Sequence, residues 1–186
     1  MRKIITLVPV FLLLAAAAGR AQKLADQPGY VPIEQLDLFP REKLSVEINL
    51  EGALLNLIAA GARGSDPEFS SMIAGLKAIK VQAIPLKELD AGTVRSKIDR
   101  TVRWLEDHGW KSSMRFKDQG EETYMYLKET DGKISGLTLL SLEPGDEAVV
   151  INIVGRIDPE QIGRLSQSLA LPHVKTVPST PGKKPE

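Results

Sequence analysis

Apolar and polar side chains alternate with a period of two in four consecutive segments after Trp110. This alternation predicts β-strands with one buried and one polar face, because successive side chains of a strand point to opposite sides. Short loops that contain glycine separate the segments, and such loops join antiparallel neighbours. The pattern therefore predicts an antiparallel meander of four strands, over residues 111–117, 122–128, 133–142 and 147–154.

The region before Trp110 has mixed periodicity. Alternating apolar residues predict two more strands, at residues 44–50 and 79–86. Helical spacing, acidic N-cap residues followed by proline, and an Ala/Leu-rich composition predict helices over 52–62, from 66 onward, over 91–108, and from 158 to about 170. We therefore expect an α+β fold, mainly an antiparallel sheet with a C-terminal meander of four strands, and about four helices packed largely on one face.

The N-terminus has the pattern of a secretory signal peptide. Arg2 and Lys3 precede an apolar stretch over residues 4–18, and small residues follow. This pattern predicts cleavage near Ala21, with residues 16–18 as a second acceptable site, and hence a periplasmic or extracellular protein. An uncleaved N-terminal anchor is the alternative, although 15 apolar residues are short for a spanning helix. After cleavage we expect no transmembrane segment.

Four regions follow from these patterns: a signal peptide over 1–21, an irregular arm over 22–41, a single α+β domain over 42–170 and a flexible Pro-rich tail over 171–186. Cleavage would remove three basic residues and no acidic one. Of the 24 basic and 24 acidic residues in the whole chain, 21 and 24 would remain, a net charge of −3. That balance argues against a nucleic-acid partner, which would require a strongly basic surface.

The residue chemistry indicates no catalytic, metal or cofactor site. The chain has no cysteine and two histidines, which excludes a disulfide framework, a thiolate metal site and a lipid-anchoring cysteine. No nucleophile-elbow, zinc-protease or phosphate-loop motif is present. We therefore expect no enzyme activity, no catalytic residue and no cofactor.

Several isolated polar residues favour structural roles. Ser135 has no base placed near it by any pattern, and adjacent residues Glu121 and Glu122 point to opposite faces of a strand, where solvation is the simpler interpretation. His108 falls where it would cap a helix C-terminus. Asn152 interrupts an apolar strand, so it is predicted to bond a neighbouring loop, with a polar anchor in a ligand pocket as the alternative.

One face of the meander is the candidate binding surface. We assign Met114, Phe116, Met125 and Leu127 to the core. The opposite face then presents tyrosine and arginine, which are frequent in binding hot spots, beside leucines of the third meander strand. The candidate binding residues are Arg115, Tyr124, Tyr126, Leu137 and Leu139; ordinary cross-strand pairing on a solvated face is the alternative.

Four segments carry a resemblance to a known family: Gly109-Trp110, residues 122–126, residues 133–137 and the run from Asn152 to Asp158. They resemble the bacterial domain of unknown function 4252, over roughly residues 40–170. The resemblance implies a small exported or lipoprotein-like envelope protein. It implies no activity and no catalytic residue, and the absent lipobox cysteine leaves membrane tethering without support.

Three functions are compatible with the sequence. The first is a non-enzymatic envelope module that binds another protein or peptide. The second is a periplasmic carrier of a small apolar ligand, held between the sheet and the Ala/Leu-rich helix. The third is a hydrolase with a carboxylate-based site, for which only the abundance of Asp and Glu speaks, and that abundance is ordinary for a soluble surface. The oligomeric state does not follow from the sequence.

Overall fold

The computed structural model describes residues 23–87 and 89–158, which form one sheet of six strands and three α-helices. In chain order these are β1 (Val46–Glu51), α1 (Ala53–Ala62), α2 (Pro67–Ala74), β2 (Leu76–Pro85), α3 (Ala91–Asp107), β3 (Lys111–Asp118), β4 (Glu121–Thr130), β5 (Lys133–Leu142) and β6 (Glu147–Ile157). The signal peptide over 1–21, the fourth helix and the tail over 171–186 all fall outside the described residues.

The sheet is antiparallel throughout, in the order β1-β2-β6-β5-β4-β3. The α+β class is confirmed, and so is the meander, since β3 to β6 pair consecutively. β2 lies between β1 and β6, which leaves β1 and β3 at the edges of the described sheet.

Both faces of the sheet carry helices, so the expectation that the helices lie largely on one face is wrong. α1 and α2 bury Leu55, Met72 and Ile73 in one apolar cluster, which we call the α1–α2 face. α3 buries Val94 and Ile98 in a second cluster, which we call the α3 face. The reason is that β2, β5 and β6 are buried on both sides over much of their length, which requires a covering layer on each face.

The helix starts follow the sequence signals closely. Asp66 precedes Pro67 at the first position of α2, and its Oδ1 accepts a hydrogen bond from the Phe69 N–H at 2.9 Å. Asp90 does the same for the start of α3, with 2.8 Å between its Oδ2 and the Thr93 N. These bonds satisfy donors that would otherwise lack an intrahelical acceptor, which is why both helices begin there.

The N-terminal arm packs into the α3 face. Val31, Ile33, Leu38 and Phe39 are buried in the same cluster as α3. Asn152, fully buried on β6, binds the arm through its carboxamide. Its Oδ1 accepts from the Val31 N–H at 3.1 Å, and its Nδ2 donates to the Gly29 carbonyl at 3.0 Å. The predicted bond from Asn152 to a neighbouring loop is therefore confirmed, and the loop is the arm.

The arm crosses β5 at a contact between two glycines. A Cβ on Gly29 would lie 1.9 Å from the Ser135 carbonyl oxygen, and a Cβ on Gly136 would lie 2.5 Å from the Gly29 Cα. The Trp110 ring also packs against Gly136, since a Cβ on Gly136 would lie 2.8 Å from the Trp110 Cη2. Trp110, Gly136 and Asn152, which all belong to the segments that carry the family resemblance, thus meet around the arm.

Candidate functional site

The five candidate binding residues do not share a face. Tyr124 and Tyr126 lie on the α3 face, where Tyr126 is 0% exposed. Leu137 and Leu139 lie on the α1–α2 face. Arg115 is exposed on β3, with its guanidinium 5.1 Å from the centre of the Tyr124 ring. The expected open face of tyrosine, arginine and leucine is therefore wrong; whether any of the five binds a partner stays a prediction.

The tyrosines are buried because α3 covers them and each hydroxyl finds a carboxylate partner. The Tyr126 hydroxyl donates to Oε1 of Glu106 on α3 at 2.7 Å. The Tyr124 hydroxyl donates to Oε2 of Glu122 at 2.7 Å, on its own strand. A phenol ring packs in an apolar core when its hydroxyl finds such an acceptor, so alternation alone could not assign the face.

Glu122 is the most strongly engaged ionisable group in this region. It is 3% exposed, and its Oε1 lies 3.0 Å from both the Arg95 Nε and the Lys117 Nζ. The expectation of a solvated Glu122 is therefore wrong, because the side chain turns under α3 towards two cations. Glu121, on the opposite side of β4, is exposed as expected.

The surroundings of Glu122 and Tyr124 shift the pKa values of both side chains. Burial alone would raise the pKa of Glu122, but hydrogen bonds from Tyr124 and Lys117 and the charge of Arg95 lower it below its usual value. Burial and the bond to Glu122 raise the pKa of Tyr124 to about 12. Neither group exchanges a proton near neutral pH. The cluster therefore places an ionised Glu122 between the cations of α3 and β3.

An alkaline titration tests this arrangement. Above pH 10 the unfolded chain releases the Tyr124 proton, whereas the folded chain retains it to about pH 12. The free energy of unfolding should therefore fall as the pH rises across that window. The Tyr124→Phe variant lacks this ionisable hydroxyl. Its denaturant midpoints, measured from pH 9 to 11.5, should therefore fall less steeply than those of the wild type. Parallel curves for the two proteins would contradict the assignment.

A second region, on the α1–α2 face, exposes apolar side chains. Phe116 on β3 is 48% exposed, and Met114, Met125 and Leu127 are partly buried beside it. We call these four residues the β3–β4 apolar surface. The sheet contacts of α1 are mainly with β1 and β2, near the opposite edge of the sheet. The assignment of these four residues to the core is therefore incorrect for Phe116 and only partly correct for the other three.

The β3 edge beside this surface is basic. β3 pairs with β4 alone in the described sheet, and nearly all of its residues are exposed. A register shift between Ser112 and Met114 interrupts the ladder, and the pairing with β4 is then regular from Met114 to Asp118. Arg115 and Lys117 lie on the side of the strand opposite Phe116, whereas Lys111 precedes the register shift, pairs with Leu127 and lies on the Phe116 side. From Met114 to Lys117 the edge therefore has one apolar and one cationic side.

Two further observations concern metal sites and membrane-spanning helices. Among the residues that the structure describes, no group of three or more His, Asp or Glu side chains is placed to hold a metal ion. The helices of that same part of the chain also lack the combined length and apolar character needed to cross a membrane. His108 ends α3 as expected, with its Nδ1 2.7 Å from the Trp104 carbonyl oxygen and its ring stacked on Trp104.

The fold and this surface define a small α+β domain with an antiparallel sheet and a partly open apolar edge. The model of the family described as domain of unknown function (DUF4252) matches residues 41–165, about two thirds of the chain. The chain belongs to this family, and the resemblance noted from its motifs is confirmed. No curated protein shows significant similarity to the chain.

Proposed function

We propose that this protein is an exported envelope protein that binds an extended segment of another protein and performs no catalysis. The observation that carries the proposal is the β3–β4 apolar surface beside the basic edge of β3. Phe116 is a large, half-exposed aromatic side chain, and such a residue beside a strand edge without a partner in the described sheet is typical of an interaction site.

The mode of binding that fits is strand addition. An extended segment that pairs with Met114–Asp118 would continue the sheet through main-chain hydrogen bonds. Its side chains would alternate between the two sides of the sheet. Those on one side would lie against Met114 and Phe116, and those on the other against Arg115 and Lys117. The preferred segment is therefore alternately apolar and acidic.

The charges of the edge also select the occupant. Two copies of β3 placed edge to edge would bring Arg115 and Lys117 of each close to the like charges of the other, which opposes self-association. An acidic segment meets no such repulsion. The bulge at Ser113 further restricts pairing to the short regular stretch that follows it.

The test uses a designed peptide of alternating valine and glutamate, labelled with a fluorophore, and the chain from residue 22 onward. Fluorescence anisotropy should show saturable binding to the wild type. Phe116→Ser should weaken the affinity about tenfold, because the aromatic contact is lost. Ile48→Ser is the matched control, since Ile48 is 37% exposed on β1 at the opposite edge of the sheet, and its affinity should equal that of the wild type.

Two results would contradict the proposal. One is equal binding of a peptide with the same composition arranged as separate valine and glutamate blocks. The other is equal loss in the Phe116 and Ile48 variants. Thermal stabilisation by a saturating fatty acid, unaltered in Phe116→Ser, would favour the carrier hypothesis instead, because a ligand that binds the native state stabilises it. That ligand would have to find space where Leu55 and Ala59 of α1 are buried.

Export rests on the sequence pattern of residues 1–21. The mature protein isolated from its own host should begin at Gln22, as read by mass spectrometry of the N-terminal peptide. An N-terminal peptide that still contains Arg2 and Lys3 would instead support the retained anchor. The binding proposal does not depend on this result.

A further inference from the structure

A cavity of about 390 Å³ lies at one end of the sheet, away from the β3 edge. The ends of three strands form it: β2 and β5 begin there, and β6 ends there. Gln27 and Pro28 of the N-terminal arm form part of its wall. The cavity therefore lies where the arm, the start of two strands and the end of a third come together.

The backbone at this place is irregular on both sides of β6. Between β2 and β6, Leu76 pairs with Gly155 and Ala78 with Val154, so Lys77 is an extra residue on β2. Between β5 and β6, Ser135 alone stands opposite Gly155 and Arg156. Bulges redirect side chains and are frequent beside functional sites. The two bulges place Lys77 and Arg156 on the lining of the same cavity.

Gly155 makes this irregular backbone possible. Its φ is +127°, a conformation that L side chains rarely adopt. A Cβ at this position would also lie 2.7 Å from the Gly75 carbonyl oxygen. The close passage of β6 over the start of β2 therefore requires glycine, and it brings Arg156 beside Lys77.

The lining is cationic. Lys77, Lys133 and Arg156 all line the cavity and are exposed, and none of the described residues that line it is acidic. Within residues 23–87 and 89–158, none of the three forms a salt bridge. Three cations without a carboxylate partner in the described part of the chain surround one concave site and repel one another, and a bound anion would relieve that repulsion.

We propose that this cavity binds a phosphate ester. A phosphate dianion offers oxygens for the planar guanidinium of Arg156, and the ammonium groups of Lys77 and Lys133 supply point charges around it. A single carboxylate would leave more of the positive charge uncompensated. The source of the phosphate is either a small soluble ester or the headgroup of an anionic phospholipid.

The test measures binding by the chain from residue 22 onward at fixed ionic strength. The probes are glycerol 3-phosphate, followed by isothermal titration, and vesicles of phosphatidylglycerol or phosphatidylcholine, followed by co-sedimentation. The site variant is Lys77→Gln/Lys133→Gln/Arg156→Gln. The control is Lys43→Gln/Arg63→Gln/Lys87→Gln, which removes the same charge from exposed residues that do not line the cavity.

We expect the control variant to bind like the wild type and the site variant to lose at least about tenfold in affinity. Binding of glycerol 3-phosphate identifies a soluble ester as the source, and binding of phosphatidylglycerol vesicles alone identifies a headgroup. Equal losses in the two triple variants, or no binding of any phosphate probe by the wild type, would overturn the proposal. The peptide assay on β3 is independent of either result.

Discussion

Replacing Asn152 by leucine is expected to destabilise the protein by about 2–5 kcal/mol, because the substitution leaves two main-chain groups of the arm without partners. The Val31 N–H and the Gly29 carbonyl bond to the Asn152 side chain, which is fully buried. Leucine is similar in size but can neither donate nor accept. Each buried polar group left unpaired costs about 1–3 kcal/mol.

Chemical denaturation measures this loss, and amide hydrogen exchange locates it. The Val31 amide should lose its protection in the Asn152→Leu variant at conditions where the β5–β6 amides keep theirs. Asn49→Leu is the control, since Asn49 is exposed on β1 and the change should alter stability by less than about 0.5 kcal/mol. Unchanged protection of Val31 would show that the carboxamide does not hold the arm.

Tyr126→Ala should have the other large effect, a loss of about 3–5 kcal/mol, as is typical for the truncation of a fully buried aromatic ring. Tyr126→Phe keeps the ring and removes only the hydrogen bond to Glu106, so it should cost about 1 kcal/mol. The interpretation from sequence, with Tyr126 on an open face, would have made its removal neutral for folding.

Phe116→Ala provides the comparison from the opposite face. Phe116 is half exposed, so its truncation should cost less than about 2 kcal/mol in the same denaturation assay. A larger loss for Phe116→Ala than for Tyr126→Ala would mean that the two faces of β3–β4 are assigned the wrong way round.

The features that the sequence predicted well are those fixed by nearby residues. The meander follows from alternation and short glycine loops, and the start of α2 follows from Asp66 and Pro67. The bond made by Asn152 was foreseen from a single principle, that a buried amide needs partners. Its partner segment was not, because Gly29 and Val31 lie more than 120 residues away.

The choice of sheet face could not be predicted, for a physical reason. β4 alternates Tyr124 and Tyr126 with Met125 and Leu127, and both sets can be buried. Which set faces α3 depends on the partners that α3 supplies. Glu106 accepts from Tyr126, and Arg95 pairs with Glu122, the carboxylate that accepts from Tyr124. The cationic cavity was missed as well, because register shifts have no signature in alternation. Gly155 within an apolar strand was the available signal.

The most direct test of strand addition at the β3 edge is an NMR titration of the chain from residue 22 onward with the alternating valine–glutamate peptide. Backbone amide shifts should be concentrated in Met114–Asp118 and the paired residues of β4, with intermolecular contacts between valine methyl groups and the Phe116 ring. Shifts confined to other parts of the sheet, or none at millimolar peptide, would contradict the assignment of the β3 edge as the binding site.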